Sequence, residues 1–148
     1  MRAVVQRVER ASVSIEGELV GSIGRGYLIL LGVGQEDTTA EADKLWGKLS
    51  VLRINDDENG KTNLALADVD GEVLVVSQFT LFANCKKGRR PSFTEAAPPA
   101  QANELYEYFV ELVRRDVPRV ATGRFGANMQ VELVNDGPFT VILDTDEL

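Results

Sequence analysis

The segment Tyr27-Leu28-Ile29-Leu30-Leu31-Gly32-Val33 is apolar at every position and constrains the fold more than any other part of the chain. A strand with one face in solvent alternates between apolar and polar residues, whereas a continuous apolar run is typical of a strand covered on both faces. Gly24-Arg25-Gly26 precedes the run and marks a turn. The segment therefore predicts a strand that is buried on both faces.

The residues before this run also have the pattern of strands. Ala11, Val13 and Ile15 alternate with polar residues at the period of two expected for a half-buried strand. Glu16-Gly17-Glu18 then predicts a turn, and extended structure resumes from Leu19 to Ile23. The first third of the chain is thus predicted to consist of strands.

Two segments have the residue spacing of helices. Thr38 and Glu41 form a capping-box pattern at the start of the first one. Apolar residues recur behind it every three or four positions and predict a buried stripe: Ala42, Leu45, Trp46, Leu49 and Leu52. The second helix is predicted to end near Arg115, with these residues on one face: Leu105, Tyr108, Phe109 and Leu112.

Further strands are predicted at Glu72–Phe82, Val117–Thr122, Met129–Val134 and Phe139–Leu143. Asn59-Gly60 is a hairpin-type signal, and Asn135-Asp136-Gly137-Pro138 is a dense turn signal. Residues 83–100 are predicted to form a long loop, which inside a compact domain is usually functional or disordered. Strands outnumber the two main helices. We therefore predict an α+β fold with mainly antiparallel sheets, sandwich or barrel-like, in a single domain over residues 1–148.

The chain has no histidine and a single cysteine, Cys85. This composition excludes Ser-His-Asp and Cys-His catalysis and leaves no Cys/His metal site within one chain. A carboxylate site for a hard cation stays open, but Asp56-Asp57-Glu58-Asn59-Gly60 lacks the ligand alternation of an EF-hand loop. We expect no metal and no other cofactor. One cysteine suits the reducing cytoplasm, and no apolar run approaches the ~20 residues that cross a membrane.

The distribution of charge is uneven, although the net charge is −7. Residues 73–131 carry eight basic and five acidic side chains, while the rest of the chain carries eight and eighteen. Four of the basic residues fall within five positions: Lys86, Lys87, Arg89 and Arg90. Such a patch on an acidic protein can dock phosphates while overall repulsion limits non-specific binding. A solvated charged loop is the other interpretation of the same residues.

Two short segments have side chains or backbone groups suited to chemistry. Ser77-Gln78-Phe79-Thr80 places two hydroxyls and an amide at the end of an apolar strand, where backbone N–H groups and Gln78 could face an oxyanion. The same residues could equally be ordinary strand residues. Gly137-Pro138 is the second segment: a cis peptide there would fix consecutive carbonyl groups, whereas a trans peptide, the commoner form, would make it only a turn.

These two segments lie in longer motifs that resemble the signatures of the D-aminoacyl-tRNA deacylase family. The motifs are Ser77-Gln78-Phe79-Thr80-Leu81 and Asn135-Asp136-Gly137-Pro138-Phe139-Thr140. The resemblance extends to Met1–Val8, Lys87–Phe93 and Thr122–Met129 and so covers the whole chain. One departure is Phe139, where the family usually carries valine, so the side chain next to the Gly-Pro pair is larger than the family pattern.

The resemblance implies a homodimer with cross-subunit active sites. Gly137-Pro138, as a cis peptide, would reach into the partner's site around Ser77 to Thr80, bind the α-ammonium group and exclude an L side chain. Arg7 would hold that loop, and Phe125 and Met129 would line the pocket for the terminal adenosine. D-aminoacyl-tRNA and glycyl-tRNA, including glycine mischarged on tRNA for alanine, would then be hydrolysed.

The resemblance also implies RNA-assisted catalysis, with the Phe79 backbone N–H among the positioning donors. An aminoacyl ester is already activated, and the neighbouring 2′-hydroxyl of the ribose is placed to help, so orientation and oxyanion stabilisation suffice without a histidine. Two other hypotheses remain open. The chain could be a non-catalytic RNA-binding module that uses residues 86–90. It could also be a hydrolase of small esters or D-aminoacyl peptides that needs no RNA.

Overall fold

The computed structural model describes residues 1–148, which form eight strands and two α-helices. The strands are β1 (Arg2–Ile15), β2 (Glu18–Ile23), β3 (Gly26–Gly32), β4 (Asn55–Asp56), β5 (Thr62–Leu64), β6 (Glu72–Ser77), β7 (Val120–Thr122) and β8 (Gln130–Asp144). The helices are α1 (Thr39–Leu49) and α2 (Pro99–Asp116). Neither helix has the length and apolarity needed to cross a membrane.

Six of the strands form one strongly curved sheet. The long strand β1 pairs antiparallel with β2 and β3, and also with β8. Beyond β3 the sheet continues through the parallel strands β6 and β7. The two edge strands of this order, β2 and β7, lie close together. A Cβ built on Gly21 of β2 would be only 3.0 Å from the Thr122 carbonyl oxygen of β7. The predicted α+β class and barrel-like arrangement are confirmed, in a mixed sheet that is nearly closed.

Strand β3 is buried on both faces of the sheet, as its sequence predicts. Tyr27, Ile29 and Leu31 belong to the larger hydrophobic core beneath the two helices. Leu28 lies on the opposite face of the sheet and belongs to a smaller hydrophobic core together with Leu74 and Val76 of β6. The phenol of Tyr27 is fully buried and accepts a hydrogen bond from Asn55 Nδ2 at 2.7 Å. Burial raises the pKa of Tyr27 to about 12.

Helix α1 begins with the predicted capping box. Thr38 Oγ1 accepts a hydrogen bond from the Ala40 backbone N–H at 3.2 Å, and Glu41 Oε2 accepts one from the Thr38 backbone N–H at 2.6 Å. Such a cap stabilises a helix by about 1 kcal/mol. At its inner face, Trp46 meets Phe109 of α2 edge-on, with ring centroids 6.0 Å apart. The two helices therefore pack as one layer on the sheet.

The buried face of α2 is rotated from the predicted one. Leu105 and Phe109 are buried as expected, but Tyr108 and Leu112 are only half-buried. The inner face is completed by other residues: Ala102, Tyr106, Val110 and Val113. Tyr108 packs against the edge of this core, and its hydroxyl donates to Asp43 Oδ1 at 2.7 Å. Tyr108 and Leu112 therefore follow the helical spacing of apolar residues but border the core without being enclosed by it.

Several predicted strand boundaries are wrong. The strand predicted at Val117–Thr122 begins only at Val120. The strand predicted at Glu72–Phe82 ends at Ser77, and Phe79–Phe82 forms a 3-10 turn. The segments predicted as separate strands around Asn135–Pro138 are one strand, β8. Gln6 pairs with Thr140 and Val8 pairs with Asn135. The chain therefore advances two residues in β1 and five residues in β8 between the same two pairs. The turn-forming residues therefore bulge out of a continuous strand instead of reversing it.

Candidate active site

A cavity of about 670 Å³ opens at the C-terminal end of β6 and is lined mainly by apolar side chains. This volume lies in the range of small-molecule binding sites. Ser77, Gln78 and Phe79 line one wall, and the loop from Phe125 to Met129 lines another. The remaining lining includes Val33, Phe93, Ala97, Pro98 and Ala102. The fold thus brings two predicted site segments, about fifty residues apart in sequence, into the same cavity.

The wall around Ser77–Thr80 forms where β6 leaves the sheet. The Gln78 backbone N–H makes a last sheet hydrogen bond to the Leu31 carbonyl at 2.8 Å, and the 3-10 turn then begins at Phe79. The first N–H groups of a helical turn have no partner within the turn, so the backbone N–H of Phe79 is left to bind another acceptor. The aromatic side chain of Phe79 is 55% exposed.

Thr80 lies beside this wall, and its hydroxyl already has a partner. Gln78 Nε2 donates to Thr80 Oγ1 at 2.6 Å. No carboxylate, lysine or arginine side chain forms a hydrogen bond with Ser77 or Thr80. A hydroxyl needs an adjacent base to become a nucleophile, and this arrangement supplies none.

The opposite wall is held against β6 by a buried tyrosine. Tyr106 of α2 donates its hydroxyl to the Val75 carbonyl at 3.1 Å, and burial raises its pKa to about 12. Its ring lies 6.1 Å from the ring of Phe125. Met129 packs so closely on Gly123 that a Cβ there would lie 2.5 Å from the sulfur. Phe125 and Met129 are therefore presented to the cavity by a loop that has little freedom.

Gly137-Pro138 does not line this cavity. The peptide bond is cis, and both residues are exposed in the bulge of β8. Within the sheet, Arg7 beside the bulge pairs with Tyr27, and Tyr27 pairs with Val73, four residues before Ser77. At about 3.3 Å per residue the bulge lies on the order of 13 Å along the strands from the cavity of its own chain.

Arg7 anchors the bulge from below with an almost fully buried guanidinium group. Nε donates to the Asp136 carbonyl at 2.9 Å and Nη1 donates to the Ile54 carbonyl at 2.8 Å. The carboxylates of Asp56 and Asp136 each lie 3.2 Å from the guanidinium nitrogens. The ring of Phe139 covers the guanidinium plane, with 4.7 Å between the ring centroid and Cζ. Phe139, which is larger than the valine usual in the family, thus packs on Arg7, the residue that anchors the bulge.

Asn135 closes the bulge from the side. Its amide nitrogen donates to the carbonyls of Arg7 at 2.8 Å and Phe139 at 3.1 Å, and so joins the two ends of the bulge to β1. A Cβ added at Gly137 would lie 2.5 Å from Asn135 Oδ1, which leaves no room for a side chain at that position. The pattern of turn residues in this segment did not reveal the role of Asn135, because that role depends on the partner strand.

The predicted basic residues occupy the tip of a loop that borders the cavity. Two hydrogen bonds between the backbones of Asn84 and Ser92, at 2.7 and 2.9 Å, close the loop. Gly88 at its tip has a φ of 67°, a left-handed conformation that favours glycine. The four basic side chains are exposed and none forms an ion pair within the chain: Lys86, Lys87, Arg89 and Arg90.

Several cavity residues were not predicted from the sequence. Phe93 and Pro98 line it because the loop after the basic tip folds back against the end of β3, where the Ala97 N–H donates to the Val33 carbonyl at 2.9 Å. Ala102 lines it from the first turn of α2. The prolines of this segment were recognisable as part of a functional loop, but nothing in their spacing showed which wall they would form.

Comparisons with known proteins identify the family. A model of the family described as D-Tyr-tRNA(Tyr) deacylase matches residues 4–144. A D-aminoacyl-tRNA deacylase of Thermotoga petrophila is 56% identical over 148 residues, which cover 100% of this chain and 99% of the relative. One of Koribacter versatilis is 58% identical, with 98% and 97% covered. A solved structure named "c-Myc DNA Unwinding Element Binding Protein" superposes with a TM-score of 0.92 at 44% identity, covering 97% of this chain and 98% of that one. The chain therefore belongs to the D-Tyr-tRNA(Tyr) deacylase family.

Proposed function

We propose that this protein hydrolyses the ester bond of D-aminoacyl-tRNA and releases the free D-amino acid and the tRNA. The observation that carries the proposal is the convergence of Ser77–Phe79 and Phe125–Met129 on one cavity of about 670 Å³. Its relatives are named for this activity and match the chain from end to end. The cavity is a suitable site for the 3′ end of a tRNA, since apolar walls can hold an adenine while backbone N–H groups face the ester.

In the proposed mechanism, water attacks the ester carbonyl and the bond to the ribose 3′-oxygen breaks. The backbone N–H of Phe79 and the amide of Gln78 stabilise the oxyanion that forms. The neighbouring 2′-hydroxyl assists proton movement to the leaving 3′-oxygen, which is why no histidine is needed. Phe125 and Met129 hold the adenosine, while Ser77 and Thr80 orient the ester. Positioning of this kind can lower a barrier by about 7–11 kcal/mol.

Stereochemical selection is proposed to come from the bulge of β8 in a second copy of the chain. Gly137-Pro138 lies too far along the sheet to contact the cavity of its own chain. A homodimer supplies it in trans, with its carbonyl groups on the substrate α-ammonium and no space for an L side chain. Glycine has no side chain to exclude, so glycyl-tRNA, including that mischarged on tRNA for alanine, is also a substrate.

Two features of β8 support self-association. The strand, which is 15 residues long, is paired only with β1, so its other edge has no partner strand. Ile142 on this strand is 73% exposed. An exposed edge with a large apolar side chain favours pairing with another strand.

The test is deacylation of matched D-tyrosyl-, L-tyrosyl- and glycyl-tRNA by the purified protein. Hydrolysis of the D and glycyl substrates with the L substrate spared is expected. Equal rates on D- and L-tyrosyl-tRNA would refute the proposed gate, and protection of all three esters would favour the RNA-binding hypothesis. A small D-tyrosyl ester serves as the control, because its hydrolysis at the same rate would mean that the RNA contributes nothing.

A further inference from the structure

Phe93 is an exposed aromatic residue at the rim of the cavity, and the proposed chemistry gives it no role. It lies immediately after Ser92, which closes the base of the basic loop. Its side chain lines the cavity and is 38% exposed. Phe93 and Phe79, which is 55% exposed, form an exposed aromatic pair at the mouth of the cavity. Contiguous exposed apolar surface beside a groove marks a binding site.

The orientation of Phe93 is fixed on two sides. Its ring packs edge-to-face on the ring of Phe79, with 5.3 Å between centroids and 75° between planes. Its carbonyl accepts a hydrogen bond from the Ala96 N–H at 3.1 Å, and Ala96 is bridged to Gly34 beside β3. The ring is therefore part of the rigid rim of the cavity and not a freely moving loop side chain.

The position of the ring between the cavity and the basic tip defines a path. The tip, with Lys86 and Arg90, lies beyond the Asn84–Ser92 pair, whereas Phe93 follows that pair in the chain and lines the cavity. A single strand whose terminal adenosine occupies the cavity, and whose phosphates approach the basic tip, passes over Phe93. Aromatic rings beside a basic track are the arrangement by which proteins bind single-stranded nucleic acid without reading its sequence.

We propose that Phe93, braced by Phe79, is the stacking site for the base of the nucleotide immediately before the terminal adenosine. This inference rests on the proposed function, since it takes the occupant of the cavity to be the 3′ end of a tRNA. It assigns a second nucleotide subsite outside the adenosine pocket. The site binds the π-face of a base and forms no specific hydrogen bond, which suits an enzyme that acts on many tRNAs.

The test measures what the penultimate base contributes to binding. The ligand is an RNA minihelix that carries D-tyrosine through a hydrolysis-resistant amide at its single-stranded 3′ end. A second minihelix is identical except that the penultimate nucleotide lacks its base, so the phosphate count is unchanged. Dissociation constants for both are measured at one fixed salt concentration with the full-length wild type, Phe93→Leu and Phe93→Tyr. Leucine keeps the apolar volume without the π-face, and tyrosine keeps the ring.

Stacking of one base on an aromatic ring predicts that wild type prefers the intact minihelix by roughly 5- to 150-fold. In Phe93→Leu this preference falls toward one, and in Phe93→Tyr it is retained. A wild-type preference below about twofold overturns the proposal, as does a preference in Phe93→Leu that matches the wild type. Failure of the proposed function has a different signature, because the wild type would then leave the ester-linked minihelix uncleaved whatever the binding ratios.

Discussion

Thr80 shows how a single hydrogen bond limits the chemistry available to a side chain. Its hydroxyl accepts a hydrogen bond of 2.6 Å from Gln78 Nε2 and contacts no titratable group. An amide cannot remove a proton from a threonine, so attack by Thr80 on the ester has no base to start it. Orientation of the substrate is therefore the role that we propose for Thr80.

We predict that Thr80→Ala keeps a substantial part of the deacylation rate, about a fifth of the wild-type value. Loss of one hydrogen bond costs about 1 kcal/mol, which corresponds to roughly a fivefold slower reaction. Loss of a nucleophile costs on the order of 10⁴- to 10⁶-fold. Replacement of the terminal 2′-hydroxyl by hydrogen is expected to be far more damaging than the alanine substitution. Single-turnover kinetics on D-tyrosyl-tRNA measures both changes.

The control is Thr80→Ser, which keeps the hydroxyl and its hydrogen bond to Gln78. If Thr80→Ala abolishes turnover while tRNA affinity is unchanged, and the deoxy substrate reacts normally, the RNA-assisted mechanism is wrong. A covalent threonyl ester would then be the mechanism to examine, and rapid quenching of the reaction would trap it.

At the scale of elements, the basic loop between Asn84 and Ser92 gives the sharpest test of RNA docking. Charge reversal of its four basic residues should weaken tRNA binding and flatten its salt dependence. Each lost phosphate contact lowers the slope of log K against log salt by roughly 0.7–0.9. Binding titrations at several salt concentrations measure the slope. The variant combines four substitutions: Lys86→Glu, Lys87→Glu, Arg89→Glu and Arg90→Glu.

The matched control is reversal of Arg114 and Arg115 at the other end of α2. These residues lie about 20 Å along the helix from Ala102 at the cavity, so they are outside the proposed path of the 3′ end. Arg114 is already paired with Glu111 at 2.7 Å. A slope that does not change in the loop variant, or that changes equally in the control, would mean that the cluster is only a solvated loop.

The elements that sequence predicted well are those whose pattern depends on near neighbours. The capping box of Thr38 and Glu41 and the buried run of β3 are local in this sense, and both are confirmed. The bulge in β8 is not local. Turn-forming residues at Asn135–Pro138 suit a reversal and a bulge equally, and only the pairing with β1 decides between them.

The candidate site also contains some features that nearby residues predict and others that depend on distant parts of the chain. The hydroxyls and amide of Ser77–Thr80 were recognisable because they interrupt an apolar strand, but the 3-10 turn that exposes the Phe79 N–H was not. The partners of Arg7 were equally hidden, since Ile54 and Asp136 reach it from segments far apart in the chain. The contact of Arg7 with Asp136 depends on the pairing of β8 with β1, and the position of Ser77 depends on the parallel placement of β6 beside β3. No single stretch of sequence encodes either pairing.

At the scale of the whole molecule, the cavity and the bulge are separate parts of one chain. The bulge lies in the middle of β1 and β8, whereas the cavity opens at the C-terminal end of β6. The bulge is exposed and is anchored by Arg7 and Asn135. A two-fold symmetric pair of chains can bring the bulge of each to the cavity of the other, because the same surface is used twice. The proposed homodimer would therefore have two sites, each built from both subunits.

Mixing two inactive variants tests this arrangement. Gly137→Ala disturbs the bulge, because its new Cβ meets Asn135 Oδ1 at 2.5 Å. Ala127→Trp places an indole in the cavity that Ala127 lines. Each homodimer should be inactive. In a heterodimer, however, one site combines the intact cavity of the first variant with the intact bulge of the second. Random exchange of equal amounts should restore about a quarter of the wild-type sites.

The measurement is D-tyrosyl-tRNA deacylation after the two variants are refolded together, compared with each refolded alone. If cavity and bulge act within one chain, every site in the mixture carries a defect and no activity returns. The oligomeric state of each variant is measured in parallel by sedimentation, so that loss of association is not mistaken for failure to complement. Recovery in the mixture alone would require that subunits share sites, since neither chain contains both an intact cavity and an intact bulge.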